Sequence, residues 1–170
     1  MNKRVAGHRH SSRFGHQHAP TRVLCEVRHS GAHMVIDHIG IVVRSLEEGM
    51  RQWTELFGYT ASSPIVANSR QKVNVIFLSK EDSLTVKLVE PSDPNSSIAT
   101  FARRGGGLHH ICFRCESLNA LISVLQGKGA RLIVPPEPGE AFRNNPIAFF
   151  IADNNLNFEL LDTEEKEGLQ

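Results

Sequence analysis

The sequence predicts an α+β fold made of two βαβββ modules in tandem, forming a curved mixed sheet around a concave cleft. Three observations carry that prediction. Residues 35–43, "VIDHIGIVV", read as a strand leading into Ser45, which begins the capping box S-L-E-E with Glu48 three residues on. Behind the cap, Leu46, Met50, Trp53 and Phe57 recur at helical spacing, Gly58 stops the helix, and two β-rich runs follow at 72–78 and 84–90. The whole pattern then repeats 72 residues later, His38 falling on His110 and Ser45 on Ser117.

The repeat holds through four segments without an insertion. "DHIGIVVRSL" (37–46) falls on "HHICFRCESL" (109–118), and a second helix carries Leu118, Leu121, Ile122 and Leu125 on one face before Gly129. "VNVIFL" (73–78) falls on "NPIAFF" (145–150), and "LTVKLVE" (84–90) on "LNFELLD" (156–162), with Lys87 on Glu159. The domain therefore spans 34–163, in modules of 34–104 and 105–163, with a C-terminal tail at 164–170.

Residues 1–33 differ in kind. They hold six of the nine histidines, and six basic residues against the single acid Glu26, a charge of +5. No apolar periodicity accompanies them, so we expect a disordered His/Arg-rich leader, a vector-derived tail or an over-extended reading frame. An acid-poor, Arg-rich leader also has the composition of a transit peptide, without a clear amphipathic stripe. Of 19 basic and 18 acidic residues in all, 13 and 17 remain for 34–170, a charge of −4. That balance argues against nucleic-acid binding by the folded part. No apolar run reaches transmembrane length. Three cysteines (Cys25, Cys112 and Cys115) make no disulfide framework, and one CxxC pair without a second half makes no zinc ribbon; a reduced, cytoplasmic setting is expected.

Strand parity then selects the inward side chains. Ile39, Ile41 and Val43 form a helix-packing face that leaves His38 and Gly40 on the other side. In the second module Ile111, Phe113 and Cys115 form that face, and parity places His109 with them, under a helix or at a sheet edge. His110 and Cys112 look the other way. Lys87 opposes Val86 and Leu88, and Glu159 opposes Phe158 and Leu160. His38, Lys87, His110 and Glu159 are thus expected to meet on the concave surface. Two imidazoles and a carboxylate make a facial triad for a divalent metal with open positions. The competing expectation is a buried Lys87–Glu159 ion pair beside two neutral histidines.

The strings "IDHIGIVV" (36–43), "SSIATFARRGGGLHHICF" (96–113), "KGARLI" (128–133) and "NFELLD" (157–162) resemble the vicinal oxygen chelate superfamily over about 34–163. This group includes glyoxalase I, methylmalonyl-CoA epimerase, extradiol dioxygenases and metal-free bleomycin-resistance proteins, and the epimerase-like branch is the most similar. The resemblance implies a small-molecule substrate, an acyl-CoA among the options, a homodimer, and no nucleic acid or membrane partner. It implies a divalent ion (Zn, Co, Ni, Mn or Fe) held by His38, His110 and Glu159, with Lys87 standing where the branch has a fourth ligand, Gln or Glu. An ammonium there must turn away, lose its proton or replace the metal. The chemistry implied is that of an isomerase, epimerase or lyase: proton abstraction next to a carbonyl, the enediolate held on metal. Glu159 and Lys87 are then the catalytic residues, Glu159 moving the proton and Lys87 neutralising the enediolate. The resemblance also sets Asn74 where some epimerases have a second, glutamate base. A dioxygenase is a lesser option. A metal-free protein that sequesters a small molecule in the same cleft is the alternative from another class.

Overall fold

The computed structural model describes residues 33–169. The leader expected at 1–33 lies, except for its last residue, outside them. The first repeat runs β1 (Met34–Val42), α1 (Leu46–Phe57), β2 (Thr60–Ala61), β3 (Val66–Asn68), β4 (Val73–Ser79) and β5 (Thr85–Pro91). A short helix α2 (Ala99–Arg103) leads to the second: β6 (Gly107–Cys115), α3 (Leu118–Gly127), β7 (Arg131–Gly139), β8 (Asn145–Ile151) and β9 (Asn157–Leu161). The strands form one mixed sheet in the order β2-β4-β5-β1-β6-β9-β8-β7, with β3 also on β4.

The two longer helices, α1 and α3, each start at a serine just after a strand. Ser45 and Ser117 accept hydrogen bonds from the backbone N–H of Glu48 and Ala120, both at 3.4 Å. A carboxylate from the last strand of each repeat takes the next donor, Glu90 at Leu46 and Asp162 at Leu118. Both arrangements place acceptor charge at a helix N-terminus, where the free amides favour it. The α1 helix stops at Gly58 in the left-handed region, as the sequence predicts.

The repeats meet where β1 and β6 pair antiparallel, with Ile39 opposite its own repeat-mate Ile111. A pseudo-twofold axis passes through that pair, and each flank joins its last strand in parallel, β1 to β5 and β6 to β9. Outside the sheet, Leu46, Ile76, Leu78, Val86 and Leu88 pack under α1, and Leu118, Leu121, Phe150 and Leu160 under α3. On the inner face Val73, Val75, Phe77 and Val89 from one repeat meet Phe142, Ile147 and Phe149 from the other. The sheet stays open in its pairing, and this packing of its inner face closes one end of the concavity and leaves the other open.

Alternation fails at two positions, His109 and Asp37, and a bulge at each is the reason. The β1–β6 register shifts between Gly40 and Ile41, which pair with His110 and Leu108, so His109 has no partner. An extra residue in one strand re-aims its side chain, and His109 lines the cleft beside His110 instead of sitting under a helix. The same shift recurs in the first repeat, between Ile36 and His38, and there it frees Asp37. Residues 164–169, expected only as a tail, fold back over the closed end: Lys166 reaches Asp37, and the Glu167 N–H donates to the carbonyl of Ala141.

Candidate active site

Four ionisable side chains come together on the inner face because two small residues leave them room. Across β5, β1 and β6, Lys87 lies beside Gly40, which faces His110; across β1, β6 and β9, His38 faces Cys112, which lies beside Glu159. A Cβ on Gly40 would stand 2.0 Å from His110 Cε1, so the ring occupies the space that glycine leaves. The glycine run before β6 has a similar purpose. Gly106 has φ +69°, and a Cβ there would meet the Val42 carbonyl oxygen at 2.1 Å.

The four groups surround one carboxylate. His38 Nε2 and His110 Nε2 lie 3.1 and 3.2 Å from Glu159 Oε2. Lys87 Nζ donates to both oxygens of Glu159, at 3.3 and 3.2 Å. His38 and Glu159 are fully buried, and Lys87 and His110 are 3% exposed. Phe142 stacks on His38 at 5.9 Å and lies 4.8 Å from Lys87 Nζ, sealing the closed end.

The second nitrogen of each histidine is also engaged. His38 Nδ1 is 2.8 Å from Asp37 Oδ1, and His110 Nδ1 is 2.9 Å from His109 Nδ1. An ionised carboxylate only accepts, so a neutral His38 that donates from Nδ1 to Asp37 presents a lone pair at Nε2. Both Nε2 atoms are buried and, despite their closeness to Glu159, not aligned with any hydrogen-bond partner. A lone pair facing a carboxylate oxygen in a dry site is satisfied by a nearby cation, a demand that the Lys87 ammonium, 3.2 Å from Glu159 Oε2, or a divalent ion can meet. Two ligand atoms at right angles, each about 2.1 Å from one ion, are about 3.0 Å apart. The 3.1 and 3.2 Å separations fit that arrangement. The donor set, two imidazoles and a carboxylate, suits a divalent first-row ion, and these three residues form a possible ligand group.

Electrostatics follow from burial and from Lys87. Burial pushes the Glu159 carboxyl up, but Lys87, His110 and His38 outweigh it and hold it well below the ordinary range. Burial, with help from Lys87 and His38, lowers His110 to about 4 against the pull of Glu159. Burial also lowers His109. For Asp37, burial raises the carboxyl, and His38 and Lys166 more than offset it. Burial drives the Cys112 thiol up, and Cys115 packs on the opposite face among the α3 contacts, so the CxxC pair does not act together.

Above this centre the open end forms a cleft of about 470 Å³. Lys87, His109 and His110 form its floor, Val75, Val89 and Phe149 its apolar walls, and Arg70, Lys72 and Glu137 part of its rim. Neither His38 nor Glu159 lines it; both lie beneath. A larger groove of about 650 Å³ beside Arg44 and Arg103 holds none of the four residues, and Arg44 there hydrogen-bonds the carbonyls of Ala102 and Arg103.

Sequence reasoning brought His38, Lys87, His110 and Glu159 to one face and missed their surroundings. Asn74 does not line the cleft. It shares a face of β4 with the helix-packed Ile76 and Leu78, whereas Val73 and Val75 look inward, so its match to a catalytic glutamate falls away. Asp37, Phe142 and Lys166 escaped notice, and Gly40 was placed on the inner face without its role. The repeat held a signal for one of them, since Asp37 is the mate of His109 at the same offset that pairs His38 with His110.

Comparison with known proteins agrees with this architecture. Residues 37–149 match the Glyoxalase/Bleomycin resistance protein/Dioxygenase superfamily. The chain is 27% identical over 133 residues to the mitochondrial methylmalonyl-CoA epimerase of Dictyostelium discoideum, covering 77% of this chain and 78% of that one. It is 31% identical over 136 residues to the uncharacterised Bacillus subtilis protein YqjC, covering 79% and 94%. A Streptomyces coelicolor methylmalonyl-CoA epimerase solved with 2-nitronate-propionyl-CoA superposes with a TM-score of 0.66 at 25% identity, covering 76% and 96%. Among the described residues no helix is long and apolar enough to cross a membrane. By sequence and fold, the chain belongs to the glyoxalase/bleomycin resistance/dioxygenase superfamily, with homologues named as methylmalonyl-CoA epimerases.

Proposed function

We propose that the protein is an isomerase or epimerase that ionises a C–H bond next to the carbonyl of an acyl-CoA, with a divalent ion held by His38, His110 and Glu159. One observation carries this reading: two buried, unpartnered imidazole nitrogens converge on one Glu159 oxygen at the spacing of ligands around a common cation. The acyl-CoA class rests on the epimerase relatives. A divalent ion in that position supplies Lewis acidity where negative charge develops on the carbonyl oxygen.

This chain's own residues do the rest. Asp37 fixes the His38 ring, and Gly40 gives His110 its place. Lys87 reaches both Glu159 and the cleft floor, so its ammonium steadies the oxyanion from the side. Apolar walls keep water from the reacting carbon, and Arg70 and Lys72 at the rim favour an anionic substrate. Glu159, buried beneath the floor with its carboxyl held low, suits holding a cation better than taking a proton. The proton passes instead to a cleft-lining base. His109 is the better placed, because burial keeps its imidazole neutral near pH 7.

The test is solvent exchange. Full-length protein, stripped with EDTA and then resupplied with Co(II) or Zn(II), is incubated with methylmalonyl-CoA in D2O, and deuterium at the substrate α-carbon is followed by mass spectrometry. Metal-dependent incorporation is expected. Folded, metal-loaded protein that leaves the α-hydrogen untouched rules the activity out for this substrate class.

A second reading keeps the cleft and dispenses with metal. Lys87 Nζ is within 3.3 Å of both Glu159 oxygens, where an ammonium itself meets the demand for a cation. The protein would then sequester a small anionic molecule. Elemental analysis of wild type against a His38→Ala/His110→Ala double variant separates the two while subtracting the histidines of residues 1–33.

A further inference from the structure

The C-terminal strap places a second lysine behind the site. Lys166 Nζ lies 3.0 Å from each Asp37 oxygen, with side-chain exposures of 10% and 8%. Asp37 Oδ1 in turn lies 2.8 Å from His38 Nδ1, placed to accept its hydrogen bond, and His38 Nε2 faces Glu159. Lys166, Asp37, His38, Glu159 and Lys87 therefore stand in a line of alternating cation, anion and imidazole. Each buried carboxylate has its own lysine.

From this geometry we propose that Lys166 is a positioning residue: by clamping Asp37 it holds His38 as the Nδ1-protonated tautomer with Nε2 free toward the centre. The physical reason is the demand on Asp37. Without a cation beside it, a buried carboxylate turns toward water, and that movement releases the His38 Nδ1–H. The other nearby cation cannot replace Lys166 as placed. Arg114 Nε is 4.0 Å from Asp37, and its guanidinium is engaged by Glu164. The strap, moreover, has anchors apart from the lysine. The Glu167 N–H bonds the Ala141 carbonyl, Glu165 accepts from Asn145, and Gly168 packs tightly against Pro64. The ammonium is thus free to serve Asp37 instead of docking the chain end.

This inference rests on the reading of His38 as a ligand through Nε2, and its test works without metal. On 15N-labelled, EDTA-stripped full-length protein, long-range 1H–15N spectra report which ring nitrogen of His38 carries the proton, with His38→Gln assigning the signals. Wild type should show Nδ1–H and a bare Nε2. Lys166→Met should move the balance about tenfold or more toward Nε2–H, leave His110 unchanged, and weaken Co(II) binding about 10- to 100-fold, the range for losing such outer partners. Lys166→Arg should restore the tautomer. A folded Lys166→Met protein with the wild-type tautomer overturns the proposal. Should that variant not fold, Lys166→Gln carries the same test, and loss of fold in both assigns the lysine to stability and overturns the positioning role. If the tautomer shifts as expected while wild type binds no Co(II), the positioning role stands and the metal-dependent function fails.

Discussion

In the first repeat the residue before the inward histidine is Asp37, sealed behind Lys166; in the second it is His109, open to the cleft. A register shift of the same kind frees each of them. Further along, the last strand offers Lys87 in one repeat and Glu159 in the other. One backbone device, used twice, therefore builds a closed half that fixes a histidine and an open half that faces ligand. The edges diverge too: β7 is continuous, whereas its counterpart is broken into β2 and β3. Duplication fixed where the side chains point, and substitution since then decided what each half does.

The most severe way to break the comparison is to remove its shared centre. Glu159→Gln leaves Lys87, 3% exposed, without its counter-charge. Removing one member of a buried pair costs about 3–5 kcal/mol. Urea denaturation of wild type and variant should show a loss of that order, together with loss of divalent-ion binding. An unchanged midpoint would mean Lys87 escapes to solvent at little cost, and the centre is looser than its distances suggest.

Gly40 and Cys112 are repeat-mates that each face a histidine, but the His110 ring fills the space over Gly40, whereas the Cys112 thiol stands within 4.8 Å of a His38 nitrogen. Gly40→Ala places a methyl where the His110 ring sits, and overpacking of that kind costs about 1–3 kcal/mol. Cys112→Ala only removes an atom from a filled space. Thermal melts should fall for both, whereas Co(II) affinity should fall only for Gly40→Ala. Equal effects on metal would show that His110 has room to swing aside.

Acid should act on the two halves through one mechanism. His110 titrates at about 4 in the fold and near 6.5 when unfolded, so the unfolded chain binds the extra proton between those values. Stability is therefore fully present above about pH 6.5 and lost as pH falls toward about 4. Glu159, held below the ordinary carboxylate range, adds a further loss as pH drops through its folded value. Denaturation midpoints measured from pH 8 to 4 should decline through that window. The decline should be shallower in His110→Gln, which lacks the first of the two groups.

Lys87→Gln removes the positive charge from the last strand of the first repeat and supplies a neutral oxygen in place of the ammonium. Affinity for Co(II) or Zn(II) should rise, modestly if the native site already binds metal and strongly if Lys87 now fills it. Melting with and without added ion reads out both cases. No change in either stability or affinity would detach Lys87 from the centre.

Much of this was legible in the chain because period and repeat are long-range signals. Alternation placed His38, Lys87, His110 and Glu159 on one face, and the 72-residue spacing of Lys87 and Glu159 paired them. What escaped notice was local or distant in a way that pattern does not encode. A bulge adds one residue without changing composition, so it hid that Asp37 and His109 share the inner face. Lys166 meets Asp37 across 129 residues, and nothing in "EEKEGLQ" distinguishes a strap from a frayed end. Parity put Gly40 on the inner face, but the ring it accommodates belongs to the other repeat and is set by the β1–β6 register.

The mildest change sharpens the comparison at the bulges themselves. Asp37→Ala and His109→Ala remove repeat-mates, but they leave different things behind. Loss of Asp37 strands Lys166, 10% exposed, beside an imidazole that has lost its acceptor, so stability should fall by well over the ordinary amount. Loss of His109 leaves only a wider cleft, since water can take its place at His110 Nδ1 and Asn157. About 1 kcal/mol or less is expected there, as for an ordinary substitution. Its effect should instead fall on turnover and on binding of an acyl-CoA probe, while Co(II) affinity stays near wild type. His110→Ala should do the reverse, abolishing Co(II) binding. If His109→Ala and His110→Ala were equal in metal affinity, His109 would be no cleft group, and the register that the bulge implies would be wrong.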